Sequence, residues 1–286
     1  MSCLKADILK IKRSPIFLAC IGIYFFAIIV LHCINLIMAK EMLENISPNG
    51  NFAETQKIFE VVSYSLNPST GLLAVLSTFL ATAIPIIVVL VYTFILSDAW
   101  LYKTIKIEAV YYNMKRCYLE RIISAIALTL IIFLVTSVLS YSINRFFWQN
   151  LVRNNDILCH VPVIKTGPGV FVKLIAVLIA GSVLFQTLGY ALTYTFRTNI
   201  PFVVMLFANV AFNGHRFLPV TIFRGIIAWA FFEIKTVPLL VYLTPSLSRD
   251  YSFLFSGFPH PFLIVFAYSI LASALTFFAI KHVKVG

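Results

Sequence analysis

Catalysis needs particular residues at particular spacings, and this 286-residue chain offers few of them. A phosphate-cradling loop of the form GxxxxGK[ST] requires glycine followed by lysine, and none of the eleven glycines is so followed. No HExxH helix and no Gly-x-Ser-x-Gly elbow is present. The nearest fragment to the latter, Phe255-Ser256-Gly257, stands beside Pro259 and Pro261, where a turn accounts for it. His32, His160, His215, His260 and His282 are far apart in the sequence. Cys3, Cys20, Cys33, Cys117 and Cys159 show neither a CxxC pair nor a Cys/His spacing suited to zinc. No catalytic residue, metal ligand or cofactor of this chain's own is therefore expected.

The polar residues that remain interesting lie inside long apolar runs: Asn35, Gln186, Thr187, Tyr190, Asn209 and Asn213. A polar group facing lipid is costly, so such groups face other helices, where they hydrogen-bond across a bundle or line a wet path. The environment that positions them follows from composition. Hydrophobic residues make up 60% of the chain, charged residues only 12%, and the mean hydropathy is +0.95, whereas soluble domains are nearer a quarter charged. In a bilayer every backbone polar group must be paired internally, and long unbroken apolar runs select helices over a barrel. The expected fold is an all-α multi-pass membrane protein in the plasma membrane, forming one transmembrane domain over 1–286.

Six spans are expected, at about 16–39, 72–97, 121–142, 171–195, 200–213 and 261–281. The apolar stretch that follows Gly214, His215 and Arg216 carries Arg224, Glu233 and Lys235, so 214–243 reads as an outer or re-entrant hairpin. Segments 1–15, 98–121, 196–199 and 281–286 hold 12 of the 22 lysines and arginines. The other 10 lie in 40–71, 143–173 and 214–260, which together are more than twice as long. Both termini are thus expected in the cytoplasm, and the net charge of +11 is explained by topology and anionic lipid without nucleic acid.

Two basic segments belong to the cytoplasmic side. Residues 2–14 read as an interfacial helix with Leu4, Ile8 and Ile11 on one face and Lys5, Lys10, Lys12 and Arg13 around the rest. Residues 98–121 place Leu101, Ile105, Ala109 and Tyr112 at helical spacing among charged residues and are the longest cytoplasmic stretch available to a partner.

The order of these parts resembles the permease subunits of type 2 ABC exporters. The resemblance rests on the basic helix Leu4 to Pro15 running into a first span, and on a second span emerging at Asp98 ahead of Lys103-Thr104-Ile105. A basic loop closing at Arg121, a tight turn at Phe196 to Asn199, and an outer segment around Val237-Pro238-Leu239 complete it. Such subunits pair as two permeases with two separate P-loop ATP-binding subunits, which bind ATP and Mg. The resemblance implies that Asp98, Lys103, Thr104, Glu108, Lys115, Arg116 and Arg121 mark the ATPase-coupling contact. Asn35, Gln186, Tyr190, Asn209 and Asn213 would then border a translocation path for an amphiphilic substrate (a peptide, antibiotic or lipid-like molecule), with Arg224, Glu233 and Lys235 at an outer gate. Lys103 stands where the family commonly has glycine. The competing expectation is a non-transporting immunity or sensor protein that binds a peptide through its outer loops, 40–71 and 143–170, where Phe146, Phe147 and Trp148 cluster.

Overall fold

The computed structural model describes residues 3–44, 52–76, 81–111, 113–153, 168–211, 218–220, 222–223, 226–227 and 261–283. Among them the chain is almost entirely helical, with no strand. The helices are α1 (Cys3–Arg13), α2 (Pro15–Glu44), α3 (Phe52–Leu66), α4 (Gly71–Val75), α5 (Ala81–Leu101), α6 (Thr104–Tyr111), α7 (Met114–Arg153), α8 (Pro168–Phe196), α9 (Ile200–Ala211) and α10 (Pro261–Val283). Five of them, α2, α5, α7, α8 and α10, are long and apolar enough to cross a membrane.

Local chemistry sets the breaks. Pro15 disfavours helical geometry at Ser14, which ends α1. The same pair starts α2, with Pro15 at its first position and the Ser14 hydroxyl accepting from the Phe17 N–H at 3.3 Å. Asn113 caps α7, its Oδ1 accepting from the backbone N–H of Lys115 at 3.2 Å and of Arg116 at 3.5 Å. Between α5 and α6 the chain turns through Lys103, whose φ of 57° lies in the left-handed region. A side chain there is strained by roughly 1–2 kcal/mol relative to glycine. Lys103→Gly is accordingly expected to raise the thermal midpoint of the purified chain, and a lowered midpoint would mean that the lysine side chain holds the turn.

The described residues refine several expected spans. Of the run expected at 72–97, its first residues belong to α4 and 81–97 to α5, with 77–80 outside the described residues. The third span lies within a 40-residue helix, about 60 Å long at 1.5 Å per residue, twice the hydrocarbon thickness. Of the fifth, expected at 200–213, the described part is α9, 12 residues, with 212–217 outside the described residues. Of the expected hairpin at 214–243, Pro219, Val220, Ile222, Phe223, Ile226 and Ile227 are helical and buried. Phe223 packs edge-on against Phe185 of α8 at 5.4 Å between ring centroids. It approaches the backbone where Gly181 has no side chain: a Cβ there would stand 2.3 Å from the Phe223 ring. The outer-gate residues Arg224, Glu233 and Lys235 lie outside the described residues.

Helix α8 is the centre of the bundle, packing along α10, α5, α7 and α9, while α2 packs on α7, α3 and α5. The surplus length of α2 and α7 serves a second, smaller core, in which Ala39, Phe59, Val62, Leu66 and Leu151 are buried with Trp148 against them. At the opposite end the start of α2, the ends of α5, α8 and α10, and the starts of α7 and α9 converge, together with α1 and α6. The basic residues of the expected cytoplasmic segments, from Lys10 to Arg197, gather at this end.

Candidate functional site

The polar centre of that end is built on α7. Arg121 lies on its second turn, 3% exposed, and faces Asp7 of α1, 1% exposed. The Arg121 Nε donates to Asp7 Oδ2 at 2.5 Å and Nη2 to Oδ1 at 3.2 Å, a two-point contact of the kind guanidinium makes with carboxylate. Nη2 also donates to Glu108 Oε2 of α6 at 3.4 Å, and Lys10 Nζ of α1 donates to Glu108 Oε1 at 3.1 Å. One carboxylate thus joins α6 to both α1 and α7. The three elements that the sequence presents as separate basic segments are clasped by four charges that sum to zero.

The expected face of α1 changes accordingly. Asp7 and Ile11, one turn apart, form the buried side, and Ile8 is exposed. Ion pairing overrides the hydrophobic pattern here, because the buried Arg121 guanidinium on the facing helix is costly unless its charge is met, and Asp7 meets it with two contacts.

An aromatic band crosses the bundle at the same end. Trp100 of α5 meets Tyr194 of α8 edge-on, Tyr194 neighbours Tyr190, Tyr190 meets Tyr118 of α7, and Tyr118 meets Phe277 of α10, with successive ring centroids 5.3 to 6.2 Å apart. A cation closes each end. The Arg197 guanidinium sits 5.3 Å over Trp100 and the Lys115 ammonium 6.0 Å over Phe277. Edge-to-face pairs of this kind favour one arrangement of four helices rather than merely filling space.

Along its length α7 also makes hydrogen bonds to each of its long neighbours. Ser124 bonds Tyr92 of α5, and Tyr118 bonds Ser273 of α10 at 2.9 Å. Thr129 accepts from Ser182 of α8 at 2.9 Å, Thr136 donates to Tyr24 of α2 at 3.4 Å, and Ser140 meets His32 Nε2 of α2 at 3.0 Å. No family model, no curated protein and no solved structure matches the chain.

The residues expected at the coupling contact divide in two. Asp98, Lys103, Thr104, Lys115 and Arg116 are exposed; the Thr104 hydroxyl donates to the Ala99 carbonyl at 3.3 Å and Arg116 Nε to Glu120 at 2.9 Å. Arg121 and, in large part, Glu108 face inward and cannot touch a soluble partner directly. The continuous stripe through Leu101 and Ile105 is broken by the turn at Lys103: Leu101 is exposed and Ile105 is buried. Tyr112 lies outside the described residues. Of the expected path, Gln186 and Tyr190 stand one turn apart on α8, both buried, while Asn35 is buried on α2 one turn beyond His32, towards the smaller core. The Asn209 side chain and Asn213 lie outside the described residues. Among the described residues no group of three or more His, Cys, Asp and Glu is placed to hold a metal ion.

Sequence reading passed over Asp7, His32, Tyr118 and the α7 hydroxyls. Arg121, Ser124, Thr129, Thr136 and Ser140 recur every one to two turns through the most apolar part of α7, and that recurrence is the available signal.

Proposed function

We propose that this chain is the membrane-spanning permease subunit of an ATP-driven exporter, working with a separate P-loop ATP-binding subunit and a second permease copy. It would carry an amphiphilic substrate, a peptide, antibiotic or lipid-like molecule, out of the cell across the plasma membrane. In this reading both termini are cytoplasmic and the α1 end of the bundle faces the cytoplasm, as its gathered positive charge favours.

The observation that carries the reading is α6. It is a two-turn helix set between two long helices at the basic end of the bundle. It turns Ile107 and Val110 outward, 58% and 81% exposed, while Glu108 on its other side is tied to α1 and α7. Such a helix offers an apolar and basic face to a docking protein and transmits force to the bundle through a charged link. A left-handed residue at Lys103, where the family resemblance puts glycine, supports the same assignment.

The partner's energy enters the bundle only if its contact differs between two arrangements, because a partner that binds both equally shifts nothing. The test is co-purification of the wild-type chain and of Ile107→Glu/Val110→Glu with a P-loop ATP-binding subunit, sought first in the neighbouring reading frame. In the variant we expect loss of the complex and of at least tenfold in substrate-stimulated ATP hydrolysis, with its thermal midpoint unchanged. An intact complex with full stimulation would remove α6 from the contact. A wild-type chain that associates with no ATPase would sink the permease reading and turn attention to the smaller core around α3 and Trp148 as the working surface of a peptide-binding membrane protein. Reversing the charges of Lys115 and Arg116 to Glu is expected to weaken the complex less, since Arg116 is paired within its own helix.

A further inference from the structure

Gln186 and Tyr190 stand at i and i+4 on α8 and so share a face. The face they address is α7. One turn before Gln186, the Ser182 hydroxyl donates to Thr129, and Tyr190 packs on Tyr118 with ring centroids 5.8 Å apart. Between Thr129 and Arg121 on α7, one turn from each, Ala125 is fully buried and presents only a methyl group. Four polar atoms along this seam have no partner within the protein: the amide nitrogen and oxygen of Gln186, the Tyr190 hydroxyl, and Arg121 Nη1. Gln186 and Tyr190 are each 1% exposed.

Folded chains do not gather unpaired buried groups, because each carries the full penalty of having left water. We infer that the seam between α7 and α8 is a built site for water, which bridges the Gln186 amide, the Tyr190 hydroxyl and Arg121 Nη1. The atoms define the ligand's chemistry. Nη1 only donates, the amide oxygen only accepts, and the phenol does either, so the ligand must both accept and donate. An anion is disfavoured because Asp7 and Glu108 already neutralise the guanidinium, and a cation is disfavoured by the guanidinium itself. Water fits with two to four partners, as internal water in proteins does. The site would extend the hydrogen-bonding of the Asp7–Arg121 pair along α7 and α8 towards the Thr129–Ser182 contact. It does not depend on the export reading.

Two measurements test the site. In the wild-type chain reconstituted in lipid and labelled with 15N at glutamine, water-edited solid-state NMR should show transfer from water to a side-chain amide signal that is absent in Gln186→Leu. Removing the amide deprives Tyr190 and Arg121 of their bridge, so Gln186→Leu should lower the thermal midpoint by about 2–4 °C or more. If the seam is dry, deleting an unpaired amide relieves its desolvation penalty and the midpoint holds or rises. Either that outcome, or a Gln186 amide that receives nothing from water in the wild-type protein, overturns the inference.

Discussion

Arg121→Met is expected to destabilise the chain by about 3–5 kcal/mol, whereas the double variant Asp7→Leu/Arg121→Met should return to within roughly 1 kcal/mol of wild type. The contrast follows from where the pair sits. Both side chains are almost wholly removed from water, so their mutual attraction chiefly repays the desolvation each has suffered. Removing the guanidinium takes the two-point partner from the buried Asp7 carboxylate and leaves Glu108 with Lys10. Removing both charges leaves neither half of the pair behind. Thermal unfolding in detergent or nanodiscs measures the energies, and limited trypsin digestion reports the structural consequence. In Arg121→Met the α1 helix should detach and be cut at Lys10, Lys12 or Arg13 far faster than in wild type, and in the double variant it should be protected again. A double variant as unstable as the single one would mean that the ion pair holds α1 by direction and not merely by neutralisation.

The second large effect is expected at Gly189. A Cβ there would lie 2.8 Å from Thr93 Cγ2 and 2.9 Å from Val89 Cγ1, both on α5, and 3.5 Å from the Phe202 ring of α9. Threonine and valine are branched at Cβ and have little rotameric freedom in a helix, so the helices themselves must part. Gly189→Ala should therefore cost about 1–3 kcal/mol, and Gly189→Leu more. Gly22 supplies the control. Nothing lies within 4 Å of its Cβ position, so Gly22→Ala should instead gain roughly 0.5–1 kcal/mol from helix propensity. Chemical or thermal unfolding of the three variants side by side checks the sign at each position. A neutral Gly189→Ala would show that α5 and α8 slide apart without penalty.

These two sites also mark what the sequence disclosed and what it withheld. Apolar runs announced the long helices, because a bilayer imposes a length and a composition that can be read residue by residue. The turn at Lys103 was noticed only as an oddity of residue type, since a left-handed φ leaves no trace in hydropathy. Arg121 stood out as a charge at the mouth of a span, but its partner Asp7 is 114 positions away and looks like one polar residue among several on an amphipathic helix. Periodicity could not distinguish the face that pairs with a distant arginine from the face that meets the headgroups. The pairing of Gln186 with the α7 seam was hidden for the same reason: a shared face on α8 is legible, but its neighbour is chosen by packing. Gly189 is one of eleven glycines in the sequence, and only the fold says that α5 and α9 approach it.

The clasp between α1 and α7 also has a consequence for the order of events at the ribosome. At about 5–20 residues per second, roughly 6–23 s separate the synthesis of Asp7 from that of Arg121. Throughout that interval the first helix has no arginine to meet. Its exposed Ile8 and Leu9 and its basic residues suit it to wait in the headgroup layer with the carboxylate still hydrated. Only when the third long helix has inserted can Asp7 leave water, so closure of this contact makes α1 a checkpoint on correct insertion of a helix synthesised after it. A chain in which α7 enters the bilayer in the wrong orientation would be left with α1 undocked and open to proteases.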